Sequence, residues 1–187
     1  LGFIGLGYAI YYHDNIMQPN YSAKEYELQQ VDWEKKYKKF ENYPQPRITD
    51  VKVDMNIFPK ERNYNATVNY VMLNKSDKAI DSLFINYGKN LKSITFSKTN
   101  KLVSKDTIMH FDIYQLSEPL QPGESLNVKF VVQNQENTFL TDRSPIIENG
   151  TFINNGMFPS FGYSESGEIA DNDIRKKYGL KDKERMA

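Results

Sequence analysis

The chain has 187 residues, and its 24 Lys and Arg balance 24 Asp and Glu, so no basic excess points to nucleic acid as a partner. Cysteine is absent, which excludes disulfides, thiol catalysis and cysteine-ligated zinc. The 13 Tyr and 11 Phe residues, beside a single Trp, favour a folded domain rich in β structure.

Residues 1–12 (LGFIGLGYAIYY) are uncharged and end on tyrosines. A helical span needs about 20 apolar residues, so this stretch is too short to cross a bilayer by itself. We interpret it as the end of a transmembrane helix, with the tyrosines in the interfacial aromatic belt. A buried element of the domain and the apolar region of a signal peptide are the alternatives, although a basic start and an A-x-A cleavage site are missing. The chain begins without Met, and we expect it to be a segment of a longer protein.

Residues 13–46 are predicted to form an amphipathic helical stalk or linker, with the helix itself over 22–41. Ser22 and Glu25 have the S-x-x-E spacing of a capping box, in which each side chain accepts a hydrogen bond from a free backbone N–H. A proline pair follows the helix and prevents its continuation, at Pro44 and Pro46.

One face of this helix is aromatic and the others are charged. The heptad spacing predicts a single aromatic stripe, formed by Tyr26, Trp33, Tyr37 and Phe40. Oppositely charged side chains one turn apart predict two local ion pairs, Asp32 with Lys36 and Glu34 with Lys38. Such a helix suits a spacer between membrane and domain, and equally an element packed on the domain's own sheet.

From residue 47 the apolar period changes to two, which predicts β-strands through a domain over 47–187. The predicted strands are 51–57, 64–72, 80–85, 91–96, 108–114 and 126–132, with shorter ones at Phe139 and Phe152-Ile153. Turns are predicted at 74–78, 98–101 and 120–124. The first strand alternates Val51, Val53, Met55 and Ile57 with polar residues, which is typical of a half-buried strand. The fold class is therefore mainly β, an antiparallel β-sandwich or a curved open sheet preceded by a helix.

A short helix is predicted over 171–180, with Asp171 as its cap and Gly179 in the left-handed position after it. Acidic residues gather at the start of this tail, but they lack the D-x-D-x-D-G spacing of a calcium loop. These residues are Glu165, Glu168, Asp171 and Asp173.

Residues able to carry catalysis are scarce. The two histidines, His13 and His110, lie far apart in the sequence and neither belongs to the H-E-x-x-H motif of a zinc peptidase. His110 falls in a predicted strand, where a core or edge imidazole is the simplest interpretation. The G-x-S-x-G elbow of a serine hydrolase is also missing. No catalytic or metal-binding residue is assigned, and the binding residues stay unknown.

Three segments, in order, resemble the N-terminal β domain of the M1 aminopeptidases. The run 48–59 (ITDVKVDMNIFP) fits the first strand of that domain, and 116–126 (LSEPLQPGESL) fits a later turn and strand. The run 151–163 (TFINNGMFPSFGY) falls where the family has an aromatic-proline segment beside the active-site cleft. The family's usual Pro-Cys-x-Asp-Glu-Pro-like element is replaced here by 158–162 (FPSFG).

The resemblance implies a saddle-shaped antiparallel sheet ahead of a zinc catalytic domain. Residues 33–37 (WEKKY) and the tail 175–187 further resemble a bacterial subgroup in which an ABC-2-type permease is fused to an M1 peptidase-like region. In that subgroup a last transmembrane helix leads through a charged helix into the β domain. The zinc motif and the G-x-M-E-N motif belong to the downstream domain, so zinc is expected only there and no catalytic residue is carried over.

The expected function is thus a non-catalytic β domain of a membrane-anchored M1 metallopeptidase-like protein. It would shape a peptide-binding cleft and position the downstream catalytic domain, on the periplasmic side of a bacterial inner membrane. The expected partners are that downstream domain, the membrane and a peptide. The alternative is a stand-alone extracytoplasmic module that binds a protein or a glycan, and whether the full protein is a peptidase stays open.

Overall fold

The structure is a computed structural model that describes residues 2–12, 21–134, 145–147 and 150–184. The predictions made for His13 and Phe139 lie outside the described residues. The chain divides into two compact units. We call the first, which joins the chain up to Lys39 with the chain from Ser164 onward, the helical unit, and the second, Phe40–Tyr163, the β unit.

The helical unit contains α1 (Gly2–Tyr12), α2 (Ala23–Tyr37) and α3 (Asn172–Lys177). The capping box is confirmed, because Ser22 Oγ accepts from the Glu25 N–H while the Glu25 carboxylate accepts from the Ser22 N–H. The α3 cap is confirmed as well, since the Asp171 carboxylate accepts from two backbone N–H groups and Gly179 has a φ of +69°. Within the described ranges, no helix combines the length and the apolar character that crossing a bilayer requires.

The aromatic stripe predicted for α2 is only partly correct. Trp33 and Tyr37 are buried and their rings pack with centroids 5.0 Å apart. Tyr26, however, is 59% exposed and lies outside the buried face. The ion pairs also differ from the local prediction, because Glu34 pairs with Arg175 and Lys38 with Glu168, both far away in the sequence.

The β unit is built from two four-stranded antiparallel sheets, ordered β1-β2-β7-β4 and β10-β3-β6-β5, and a small β8-β9 ladder. The first sheet comprises β1 (Arg47–Phe58), β2 (Asn63–Leu73), β7 (Ser125–Asn134) and β4 (Leu91–Phe96). The second comprises β10 (Ser160–Phe161), β3 (Ile80–Asn86), β6 (Phe111–Leu120) and β5 (Asn100–Asp106). The ladder pairs β8 (Ile146–Ile147) with β9 (Gly150–Thr151). The mainly β, antiparallel fold class is confirmed.

An apolar cluster lies between the two sheets. Strand β2 contributes every second residue to it, as the period of two requires, and β7 does the same on the neighbouring strand. The second sheet contributes Ile80, Leu83, Leu116 and Leu120. Residues of the aromatic-proline segment pack against this cluster, namely Met157, Phe158 and Phe161.

Two strand predictions and one turn prediction need correction. Residues 107–110 form a turn and β6 begins only at Phe111, because the Asp106 carboxylate accepts from the Ile108 and Met109 N–H groups and holds the chain in that turn. Strand β5 occupies Asn100–Asp106, so the turn predicted at 98–101 lies slightly earlier. Phe152-Ile153 is not a strand, since β9 ends at Thr151 and the next strand is β10.

Strand β1 was predicted to be half-buried and is instead exposed along nearly its whole length. Its alternating apolar side chains lie beside the buried residues of β2, but β1 is the outermost strand of its sheet. Val51 is 52% exposed and Val53 42% exposed. The alternation in the sequence is therefore real, but it describes an apolar edge that the second sheet does not cover.

Candidate functional site

The β unit carries an open cleft of about 550 Å³ beside strand β3. Its walls come from three segments that are distant in the sequence, and each is fixed by a different kind of contact. The lining residues are 41–47, Lys75, Ser76 and 161–163.

Aromatic packing fixes the first wall. The rings of Phe40 and Tyr43 lie 4.5 and 5.1 Å, centroid to centroid, from the ring of Phe84 on β3. The Tyr43 hydroxyl donates to the Asp81 carboxylate, which raises the pKa of Tyr43 and lowers the pKa of Asp81. Within the β unit, the segment before β1 is thereby held against β3 by both the ring and the hydroxyl of Tyr43.

The Gln45 side-chain amide forms the hydrogen bonds to the edge of β3 that the backbone of a neighbouring strand would otherwise form. Its Nε2 donates to the Ser82 carbonyl at 2.8 Å, and its Oε1 accepts from the Phe84 N–H at 2.9 Å. One side-chain amide thus satisfies two backbone groups of an edge that would otherwise lack partners there. This contact fixes the backbone on both sides of Gln45 in the cleft wall.

The second wall is the end of the aromatic-proline segment. Strand β10 pairs with the end of β3, and the Gly162 N–H then donates to the Phe84 carbonyl at 2.8 Å. The Asn86 side chain donates to the Gly162 carbonyl at 2.6 Å. Gly162 has a φ of +93°, and a Cβ there would lie 3.4 Å from Gln45 Cγ. Glycine at this position allows the two walls to approach each other closely.

The third wall is a turn organised by Asn74, which is 1% exposed. Its Nδ2 donates to the Lys78 and Leu120 carbonyls, both at 2.8 Å, and its Oδ1 accepts from the Ser76 N–H and hydroxyl. Every hydrogen-bonding position of this amide is therefore occupied, three by groups of the turn itself and one by the Leu120 carbonyl of β6. The result is a rigid turn that presents Lys75 and Ser76 to the cleft.

The cleft combines aromatic surface, backbone polar groups and charges of both signs. Arg47 and Lys75 supply cations and Glu41 supplies an anion, while Tyr43 and Tyr163 supply rings with hydroxyls. Such a lining can hold an extended chain by hydrogen bonds and ring contacts, with charged side chains to fix its direction. Among the described residues, no three or more His, Asp or Glu side chains are grouped so that they could hold a metal ion.

The residues considered from the sequence lie elsewhere. His110 was expected on a strand but occupies the turn before β6 with a φ of +51°, and its ring meets that of Tyr87 edge-on at 5.4 Å. In the acidic tail, the Glu168 carboxylate binds Lys38 at 2.7 Å and Lys183 at 2.9 Å, while Asp171 caps α3. Each of these two acidic side chains therefore has a structural role.

Sequence reasoning missed an acid–phenol pair next to this turn, in which Asp112 is buried and Tyr87 is half-buried. The Tyr87 hydroxyl donates to Asp112 Oδ1 at 3.1 Å. Burial raises the pKa of Asp112, and burial together with the Asp112 charge raises the pKa of Tyr87 to about 12. The signal in the sequence is the alternation along β6, in which Asp112 precedes Ile113. This alternation separates the two faces of the strand but does not show that the face with Asp112 is buried.

No protein-family model and no curated protein matches the sequence. Among solved structures, similarity is found to M1 zinc metallopeptidases. A mutant of the Deinococcus radiodurans enzyme bound to a Tyr-Ser-Ala substrate has 11% identity and a TM-score of 0.38, over 52% of this chain and 22% of that one. Another structure of the same enzyme has 11% identity and a TM-score of 0.38, over 50% of this chain and 21% of that one.

A two-domain M1 zinc metallopeptidase bound to L-arginine has 12% identity and a TM-score of 0.38, over 50% of this chain and 22% of its own. The chain thus spans about a fifth of the length of the structures it matches. A similarity of this extent does not assign the chain to their family.

Proposed function

We propose that this chain is the non-catalytic β domain of a membrane-anchored M1 metallopeptidase-like protein, and that it shapes one side of a peptide-binding cleft. The observation that carries the proposal is the position of the aromatic-proline segment. The sequence resemblance places this segment beside a substrate cleft in the family, and in this chain its end, 161–163, lines the cleft of the β unit. The antiparallel fold of the β unit agrees with the resemblance.

In this proposal the cleft binds extended peptide rather than performing chemistry. Arg47 and Lys75 attract carboxylates, and the tyrosine rings contact side chains of the peptide. The hydrolytic zinc site belongs to a downstream domain of the same polypeptide, which the β unit positions. The helix α1 provides the anchor in a bacterial inner membrane, with the β unit on the periplasmic side.

Peptide binding is tested by fluorescence polarisation with a panel of labelled extended peptides that differ in charge and aromatic content. We expect saturable binding that Arg47→Glu and Tyr163→Ala each weaken by about tenfold, as expected for the loss of one charged or aromatic contact. The matched controls are Lys129→Glu on β7 and Tyr26→Ala on α2, both exposed and outside the cleft. Equal affinity of all four variants would contradict a peptide site in the cleft.

Catalysis is tested on the same protein with aminoacyl-coumarin substrates and added zinc. We expect no turnover above the blank, and robust turnover would contradict the non-catalytic assignment. Binding to a glycan array that Tyr163→Ala abolishes, together with no binding to any peptide, would favour the stand-alone glycan-binding module.

Membrane anchoring is tested by flotation with vesicles of phosphatidylethanolamine and phosphatidylglycerol. The side chains of α1 are exposed throughout, with Phe3 at 90%, and the helix carries no charge. We expect the chain to float with the vesicles and Leu6→Arg to reduce the bound fraction strongly, because a buried arginine is costly in the bilayer. Lys24→Leu, a change outside α1, should leave it unaltered.

A further inference from the structure

Strand β1 offers a long exposed edge. It runs from Arg47 to Phe58 at the end of the first sheet and pairs with β2 on one side. Among the residues that the structure describes, no strand pairs with its other side. A strand in this position presents a row of backbone N–H and C=O groups that can pair with another chain.

The apolar side chains of β1 lie on the same face of the sheet as the core. Val51, Val53, Met55 and Ile57 stand opposite Tyr70, Val68, Ala66 and Tyr64 of β2, in that order. Each of these four partners is at most 5% exposed, whereas Val51 is 52% and Ile57 39% exposed. We call Val51, Val53, Met55 and Ile57 the apolar row. It continues the core beyond the area that the second sheet covers.

On the other face of β1, the charged side chains are ordered so that those of one copy of the chain can pair with those of a second copy. Lys52 and Asp54 flank Val53 and both are exposed. If two copies pair antiparallel about a two-fold axis at Val53, Lys52 of each copy lies opposite Asp54 of the other. The same register places Val51 opposite Met55, so the two apolar rows lie side by side on one face.

Other registers of the pairing between two β1 strands are less favourable. An axis at Lys52 or at Asp54 brings two like charges directly opposite each other, which destabilises a sheet. A slip by a single residue moves one apolar row to the opposite face. An axis at Val51 pairs Lys52 with Asp50 but joins only residues 47–55, whereas the axis at Val53 joins residues 48–58.

From this complementarity we propose that the chain forms a homodimer through β1, with the two-fold axis at Val53. The two first sheets then become one continuous antiparallel sheet. The interface is isologous, so each favourable contact away from the axis occurs twice. The backbone supplies the pairing hydrogen bonds, the apolar rows are joined, and the two Lys52–Asp54 pairs select the register.

Exchanging the charges of β1 tests the proposal. Dimerisation of the whole chain is measured by sedimentation equilibrium in a density-matched non-ionic detergent, because the detergent suppresses association through α1. The parent chain should dimerise. Lys52→Asp and Asp54→Lys each place like charges opposite each other twice, and each should raise the dimer dissociation constant about tenfold or more. The double variant, and an equimolar mixture of the two single variants, restore opposite charges and should dimerise as the parent does.

The control variants Lys129→Asp and Asp77→Lys make the same charge changes on exposed residues away from β1 and should leave dimerisation unchanged. A parent chain that stays monomeric, or single variants that dimerise as well as the parent, would overturn the proposal. Pairing of β1 with a different protein would give a monomer in this experiment and is therefore also a refutation.

Cross-linking tests the register itself, because the chain has no cysteine of its own. Paired residues in a sheet have Cα atoms about 4.5–5.5 Å apart, a separation that a disulfide can bridge. Val53→Cys should cross-link with itself on mild oxidation. Lys52→Cys should cross-link with Asp54→Cys and poorly with itself, and Lys92→Cys on β4 should give no cross-linked dimer. Self-cross-linking of Lys52→Cys as fast as that of Val53→Cys would contradict the register.

Discussion

Within the helical unit, the Glu34 carboxylate binds the Arg175 guanidinium through two hydrogen bonds of 2.8 and 2.5 Å, although the two residues are 141 positions apart. The side chains are 4% and 2% exposed. The guanidinium also donates to the carbonyls of Ile169 and Lys181. Arg175 therefore joins α2 to both flanks of α3, and its charge is matched inside the unit.

We expect Arg175→Met to lower the free energy of unfolding of the helical unit by about 3–5 kcal/mol, because it leaves a buried carboxylate without its partner. Adding Glu34→Gln should recover part of this loss, since the unpaired charge is then removed. The readout is urea unfolding followed by the fluorescence of Trp33, which lies in the same unit. Lys177→Met removes exposed contacts with Glu27 and with the Tyr178 ring, and it should leave the free energy of unfolding nearly unchanged because water screens such contacts. Equal losses for Arg175→Met and Lys177→Met would contradict this account.

The contact between Gly167 and Trp33 leaves no room for a side chain. A Cβ on Gly167 would lie 2.8 Å from Trp33 Nε1 and 2.9 Å from Cδ1. We expect Gly167→Ala to displace the indole, weaken its 3.1 Å hydrogen bond to the Ser164 carbonyl and cost about 1–3 kcal/mol. The emission of Trp33 should move to longer wavelength. Gly88→Ala, at a position with open space around it, is the control and should leave the emission unchanged.

The Gln45 amide stabilises the edge of β3, so removing it exposes two backbone groups at once. We expect Gln45→Ala to lower the free energy of unfolding of the β unit by about 1–3 kcal/mol and to loosen the cleft wall. Gln45→Glu should be intermediate, because it keeps the acceptor for the Phe84 N–H and loses the donor to Ser82. Hydrogen exchange of the Phe84 amide measures the effect directly. Fast exchange in both variants at equal rates would contradict the assigned roles of the two atoms.

Asp112 makes stability depend on pH in a defined direction. Its pKa is raised in the fold, so as pH increases the unfolded chain releases its proton first, and the native state loses stability from about pH 4 up to the folded pKa. Asp112→Asn keeps an acceptor for Tyr87 and should lack this loss. Chemical unfolding between pH 3 and 7 gives the difference between the two proteins. Asp77→Asn, an exposed turn residue, controls for the removed charge. An Asp112→Asn curve parallel to that of the parent would refute the assignment.

Features set by neighbouring residues were predictable. The Ser22–Glu25 capping box and the Asp171 cap follow from side chains that reach backbone groups two or three positions away. The strands β2, β3, β4 and β7 follow from the alternation of apolar residues, since burial on one face enforces a period of two. Both kinds of signal require no knowledge of the distant chain.

Features set by distant residues were not predictable. Lys38 lies four positions after Glu34, so a local ion pair between them was the expectation. A buried carboxylate is stabilised more by the bidentate guanidinium of Arg175. The exposure of β1 depends on how far the second sheet extends, which alternation does not encode. The cleft brings together residues near 45, 75 and 162, and only the last of these segments was associated with a cleft from the sequence.

The pairing of Glu34 with Arg175 also sets an order of events during synthesis. Helix α2 leaves the ribosome long before the segment that completes its surroundings, because 141 residues must be added between the two partners. At about 5–20 residues per second this delay is on the order of ten seconds. During this delay the residues of both sheets are synthesised, while the Glu34 carboxylate of α2 has not yet met its guanidinium partner.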